Sequence, residues 1–277
     1  MQGRLLPKYQ GRYQAHPVGY WQDEFLVAAE LGLEYIEFIL DFNDASQNPL
    51  MTSKGIEDIL SVSKNSGVQV KTICADYFME APLHSSSKEI VEESQKKLKT
   101  LIQYGIQLGI SDIVIPCVDQ SSLVDEGAKQ RFIENIQSSM KLAEAAGINL
   151  SLETDLDPAS FIALLQQLDS SRITVNYDTG NSASLGYDPE EELLTYGSYI
   201  SDVHIKDRKY QGGSVVLGTG DTKFESVFRM LSKIDYQGPF IMQAYRDEEG
   251  KAIFKKQLAW IKQYIETSSQ KTIAAQQ

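Results

Sequence analysis

A chain of 277 residues with 42% hydrophobic and 23% charged side chains can bury a sizeable core, either as two small domains or as one barrel of about 250 residues. Its net charge of -12, with no local basic patch to offset it, excludes a nucleic-acid binder, because phosphate backbones would be repelled. No apolar run approaches the roughly 18 to 20 residues of a membrane span, two cysteines are too few for a disulfide framework, and no basic, apolar, small-residue series opens the chain, so a soluble cytoplasmic protein is expected.

The opening MQGRLL is short and apolar. After it, one unit recurs: a helical stretch, a small loop and an apolar strand. It reads as AELGLEYIEFIL, KNSGVQVKTICAD, IQLGISDIVIPC, EAAGINLSLET, LDSSRITVNYD, YGSYISDVHIKD and DYQGPFIMQAYR. Six of these joints carry Gly32, Gly67, Gly109, Gly147, Gly197 and Gly238 where a helix C-cap or turn wants a positive φ. Between them lie amphipathic stretches such as SQKKLKTLIQYGIQLG, with Leu98, Leu101, Ile102 and Ile106 at helical spacing, and RFIENIQSSMKLAEAAG.

Strands alternating with helices imply a parallel sheet, and continuous apolar runs imply strands buried on both faces. The fold expected is an α/β protein, a (β/α)8 TIM barrel forming a single domain over residues 1–277, with MQGRLL as the eighth strand that closure requires. The rival doubly wound sheet lacks a G-x-G-x-x-G after its first strand. The polar ETSSQKTIAAQQ, from about residue 266 to 277, is expected to be a flexible tail.

Glu153, Asp178, His204 and Gln243 each close one of these apolar runs. Singly, each signal is weak: Asp178 stands in a turn sequence, and a lone strand histidine is more often a core residue than a ligand. Together they are strong, because the carboxyl ends of parallel barrel strands converge on one cavity. Carboxylates and imidazole suit one divalent ion such as Mn, Mg, Co or Zn, and the Gln243 amide keeps an oxygen donor while losing a charge and a base. Lys206 and Arg208 are expected to meet a substrate phosphate or carboxylate, or else to pair with Asp202, Asp207 or Asp221. Gly218 and Gly220 of LGTGDTKF either form a plain turn or present helix N-terminal amides to an anion. Arg4, Arg246, Glu37 and Asp76 stand near other strand ends and would line the pocket. Asp157 before Pro158 reads as an ordinary N-cap, Cys74 and Cys117 as buried thiols, and Trp21 as packing at the first helix.

MQGRL, DEFLVAAELGLEYIEFI, SLET, YDTGN, VHIKD, LGTGDTKFESVF and YQGPFIM, in this order, resemble segments of the xylose isomerase-like TIM barrels of the AP endonuclease family 2 superfamily. That family includes sugar phosphate isomerases and epimerases and inosose dehydratases, and the resemblance spans nearly the whole chain. It implies that Glu153, Asp178 and His204 ligate the metal, with Gln243 where the family has a glutamate ending strand eight. A trinuclear zinc nuclease on the same barrel is excluded, since only His16, His84 and His204 are present. The activity implied is isomerisation or epimerisation of a small carbohydrate, phosphorylated or free, by enediolate chemistry with Glu153 as base and with Lys206, Arg208, Arg246, Arg4 and Glu37 around the substrate. An inosose-type dehydratase and a non-catalytic sugar-binding barrel with a degenerate site are the alternatives, and a homo-oligomer is compatible with each. Gln243 is expected to weaken metal retention and to leave Glu153 as the sole base at the metal, unless Glu37 or Asp76 substitutes.

Overall fold

The computed structural model describes residues 1–275 apart from Arg4 and Glu249, with side chains described as far as Glu266. Arg4, expected in the pocket, therefore lies outside the described residues, as do the side chains of nearly all of the expected flexible tail.

Seven strands form one sheet in chain order: β1 (Tyr35–Ile39), β2 (Gln69–Cys74), β3 (Asp112–Cys117), β4 (Asn149–Thr154), β5 (Ile173–Asp178), β6 (Ile200–Ile205) and β7 (Phe240–Met242). The described pairings are all parallel. The helix α1 (Asp23–Glu30) precedes β1, and at least one helix follows every strand: α2 (Ser53–Ser66), α3 (Tyr77–Glu80), α4 (Lys88–Leu108), α5 (Glu126–Ala146), α6 (Pro158–Leu168), α7 (Thr179–Leu185), α8 (Pro189–Tyr196), α9 (Phe224–Lys233) and α10 (Lys251–Ala275). This is the expected α/β barrel topology. Among its described residues MQGRLL forms no strand of its own and contributes the parallel bridge of Gln2 with Glu37, while Glu37 N donates to Met1 O at 2.8 Å. Among the described residues no helix is long and apolar enough to cross a membrane.

The helices stop where the sequence places left-handed residues. Gly67, Gly109 and Gly147 cap α2, α4 and α5 with φ of 77°, 67° and 71°. Gly197 departs from this expectation with φ -56°, and Gly238 is not a positive-φ residue either. Gly238 is needed for a different reason: a Cβ there would fall 2.4 Å from the Ser201 carbonyl oxygen. Asp157 caps α6 as expected, accepting from Ser160 N at 3.0 Å.

The chain divides into two compact units, Met1–Leu156 with Ala163–Thr174, and Asp157–Ile162 with Val175–Gln277. In the first, register-matched residues share a sheet face because side chains alternate along a strand. One face carries Phe38, Ile73, Ile113, Ile115, Leu150 and Leu152; the other carries Glu37, Thr72, Cys74, Asp112, Ser151 and Glu153, and all are buried. The second unit repeats the division, with Tyr177, Val203, Ile205 and Met242 on one face and Asn176, Asp178, Asp202 and His204 on the other. Both faces are buried, as expected, but one of them is polar.

In the first unit Trp21 packs edge-on against Phe25 and Phe38, at 5.9 and 5.4 Å between ring centroids, and His16 lies 5.3 Å from Phe38. Burial here displaces two titrations in opposite senses. It pushes the Glu24 carboxyl up from 4.5 to about 7, against the lowering effect of the Leu5 N–H at 3.3 Å, and pushes the His16 imidazole down from 6.5 to about 4. Between pH 4.5 and 7 the folded chain holds a proton on Glu24 that the unfolded chain has released, so this contribution to stability falls as pH rises through that window. For His16 the unfolded chain binds its proton first, so stability falls as pH drops from 6.5 towards 4. Glu24→Gln is expected to stabilise the protein above pH 7 by on the order of 3 kcal/mol and to change little near pH 4.5, read from denaturant unfolding at the two pH values.

Candidate active site

In the second unit the last residue of β5, Asp178, is also the N-cap of α7. Its Oδ1 accepts from Gly180 N and Asn181 N, both at 2.8 Å, which fixes the carboxylate plane and leaves Oδ2 turned toward β6. That oxygen lies 3.3 Å from Lys206 Nζ and 3.9 Å from His204 Nδ1. The turn reading and the ligand reading of Asp178 thus use different oxygens. His204 is fully buried in β6, with Nε2 3.9 Å from Asp202 Oδ2. Gln243 follows β7, where its N–H donates to Ile205 O at 3.0 Å, and its side-chain nitrogen comes within 3.4 Å of His204 Nδ1. Asp178 and Gln243 therefore approach the same ring nitrogen, and Lys206 reaches the Asp178 oxygen that faces it.

Two ligands about 2.1 Å from one ion can stand up to roughly 4 Å apart, and the 3.9 Å between Asp178 Oδ2 and His204 Nδ1 falls inside that limit. The donor set fits a hard or borderline divalent cation. Gln243 fits less well, because its amide nitrogen, which cannot ligate a cation, is the atom facing the imidazole.

Lys206 is held from several sides. Thr179 Oγ1 donates to its carbonyl at 2.7 Å and accepts its N–H at 3.0 Å, and Gly180 has no side chain because a Cβ would stand 2.7 Å from Lys206 Cγ. Its ammonium bridges Asp178 and Asn181, and Arg208 reaches the same Asn181 Oδ1 at 2.8 Å. Asp178 and Asn181, not the expected Asp202, Asp207 or Asp221, are thus the partners of Lys206 and Arg208; Asp221 instead accepts from Tyr210 N at 2.7 Å. The reason is geometric: both residues lie past the end of β6, and the Asp207 carboxylate is taken up by backbone amides of residues 218–222.

Asp207 has a different use. Fully buried, it accepts backbone N–H groups of Gly218, Gly220 and Thr222 at 2.9, 2.8 and 3.1 Å. The LGTGDTKF amides do meet an anion, but it is the protein's own carboxylate rather than a ligand. Gly220 is obligatory, since a Cβ there would sit 2.0 Å from Asp207 Oδ1. Arg246 is partly buried after β7, with Nη1 3.1 Å from Asp247 O.

In the first unit Glu153 is buried near the end of β4, register-matched to Pro116 of β3. Glu37 in β1 accepts from Thr72 Oγ1 at 2.8 Å. Asp76, after β2, accepts from Cys74 Sγ at 3.1 Å and Gln14 Nε2 at 3.2 Å, and burial pushes its carboxyl up. Burial first, then the charges of Asp76, Glu37 and Glu153, push the Cys74 thiol well up; burial and the charges of Asp155 and Glu153 do the same at Cys117. Both cysteines are buried free thiols, as the sequence implies, and unreactive at neutral pH. The sequence reading missed Asp41 and Asp44 after β1. They hold the segment 9–16 through His16 N, Arg12, Tyr9 and Gln10, at 2.7 to 3.0 Å.

The model of the xylose isomerase-like TIM barrel family matches residues 25–264. The chain belongs to this family. Among curated xylose isomerase-like relatives, the L-ribulose-5-phosphate 3-epimerase of Salmonella typhimurium is 25% identical over 252 residues, covering 87% of this chain and 89% of that protein. Among solved structures, a xylose isomerase domain protein from Planctomyces limnophilus superposes with a TM-score of 0.74 at 17% identity, over 89% of this chain and 92% of the other. A xylose isomerase-like TIM barrel protein from Mycobacterium smegmatis in complex with magnesium gives 0.72 at 19% identity, over 91% and 90%. Relatives of this chain are sugar epimerases.

Asp207→Ala would strip an anionic acceptor from three buried-side N–H donors. It is expected to lower unfolding stability by roughly 3 kcal/mol or more and to speed amide exchange at Gly218, Gly220 and Thr222 above the rest of the chain, as hydrogen-exchange mass spectrometry would read.

Proposed function

We propose that this protein is a cytoplasmic, divalent-metal-dependent isomerase or epimerase of a small sugar, most naturally a ketopentose phosphate, with Glu153, Asp178 and His204 holding the ion. The carrying observation is donor convergence at neighbouring strand ends: Asp178 Oδ2 and His204 Nδ1 lie 3.9 Å apart, and the resemblance to the family adds Glu153 as the third ligand. The sugar epimerases among its relatives support the reaction class, and the magnesium complex of a family member supports a hard divalent ion.

The ion, when bound, would hold adjacent substrate oxygens and polarise the carbonyl. Glu153 takes the proton from the neighbouring carbon. Asp178 keeps its orientation through the two α7 amides, and Lys206 and Arg208, joined at Asn181, offer paired positive charge to a substrate oxygen, carboxylate or phosphate. Gln243 cannot accept and return a proton, so the second acid–base group of a two-face inversion has to be another carboxylate or water. That same residue favours a second reading, removal of water from a polyol by the single base Glu153.

Turnover of ketopentose 5-phosphates, free ketoses and inososes with added Mn2+ in D2O, with products identified by NMR, separates the two. Glu153→Gln is expected to lower kcat by about 10²–10⁴ while the protein still folds. Gln243→Glu is expected to bind Mn2+ more tightly than wild type by calorimetry, since it adds a charged oxygen donor. Absence of Mn2+ binding together with absence of turnover on all three classes would sink the proposal.

A further inference from the structure

We infer that Asp202 is a positioning residue for His204: it draws the imidazole proton to Nε2 and so presents Nδ1 as the lone-pair atom on the side of Asp178. This rests on the reading of His204 as a metal ligand. Asp202 and His204 are two residues apart on β6, so both side chains project from the same sheet face, and both are fully buried. The two ring nitrogens face different chemistry. Nδ1 looks toward Asp178 Oδ2 at 3.9 Å and the Gln243 amide nitrogen at 3.4 Å, whereas Nε2 looks toward Asp202 Oδ2 at 3.9 Å.

The two carboxylates are equidistant from the ring, so distance alone does not choose the tautomer. Their surroundings do. Asp178 Oδ1 is already held by two backbone N–H groups and Oδ2 by the Lys206 ammonium, so its pull on an imidazole proton is partly compensated. On the same side the Gln243 nitrogen is a donor, and an N–H on Nδ1 would meet it donor to donor. A proton on Nδ1 is disfavoured by both. On Nε2 it faces the Asp202 carboxylate 3.9 Å away, beyond hydrogen-bond length but fully buried, where the attraction is weakly screened. Ligating histidines as a rule donate their other ring nitrogen to a carboxylate, carbonyl or water, which fixes the tautomer and raises ligand basicity.

The test is the tautomer of His204 in the metal-free protein, read near pH 8, above the ordinary imidazole range, by two-bond proton–nitrogen correlation on protein labelled with 15N-histidine. With only three histidines in the chain, His204→Gln assigns the signal. Wild type is expected to carry the proton on Nε2, and Asp202→Ala to lose that preference and to bind Mn2+ about 10–100-fold more weakly by calorimetry. Asp202→Asn, which can turn an uncharged oxygen toward Nε2, should keep the tautomer and bind Mn2+ with intermediate affinity. If the alanine variant does not fold, Asp202→Asn decides alone, and wild-type affinity in it overturns the inference. So do a proton on Nδ1 in the wild type, an alanine variant unchanged in both readouts, or two Mn2+ ions per wild-type chain of which Asp202→Ala loses one, which would make Asp202 a ligand. A wild type that binds no Mn2+ defeats the metal reading instead, and the tautomer measurement on the metal-free protein still reports separately whether Asp202 governs His204.

Discussion

Burial of both faces of every strand is the constraint on which the rest depends. A strand flanked by helices on one side must be apolar there, and Phe38, Ile73, Ile113, Leu150, Val203 and Ile205 meet that need. The other face is equally shielded from water, yet it carries Glu37, Glu153, Asp178, Asp202 and His204. Polar groups can persist there only by meeting one another or by meeting a ligand. Within each unit the described contacts follow this rule: Thr72 serves Glu37, two α7 amides and Lys206 serve Asp178, and the imidazole of His204 lies between carboxylates.

Much of this was legible in the sequence. Strand positions follow from apolar runs punctuated by glycine, and the strand-end residues Glu153, Asp178, His204 and Gln243 follow from where those runs stop. What the sequence hides is partner choice. Lys206 has three acidic residues within reach along the chain, but its partner Asp178 lies 28 residues away on the neighbouring strand. Parallel pairing brings strand ends together across whole helical crossovers, so proximity in sequence says little about proximity in space. The Gly218–Gly220 pair stays ambiguous in sequence for a related reason. Amides arranged for an anion look the same whether the anion is a ligand or Asp207.

The N-terminal segment illustrates the opposite error. Closure of an eight-stranded barrel calls for one more strand, and MQGRLL was the only apolar candidate. It engages β1 through the Gln2–Glu37 bridge and through Met1, whose amino group donates to Tyr35 O and whose carbonyl accepts from Glu37 N. Pattern alone suggests a strand, but among the described residues the left-handed Gly3 (φ 49°) interrupts the extended backbone directly after the Gln2 bridge.

The Asp207 clasp has an evolutionary corollary. Between it and the amides it grips lies a short excursion, residues 209–217, whose tip carries the largely exposed Tyr210. Because Thr179 and Thr222 hold the Lys206 backbone independently of that excursion, its length and composition are free to drift while the cation beside Asp178 stays in register. Change at the loop can thus accumulate without the strand-end charge cluster being rebuilt.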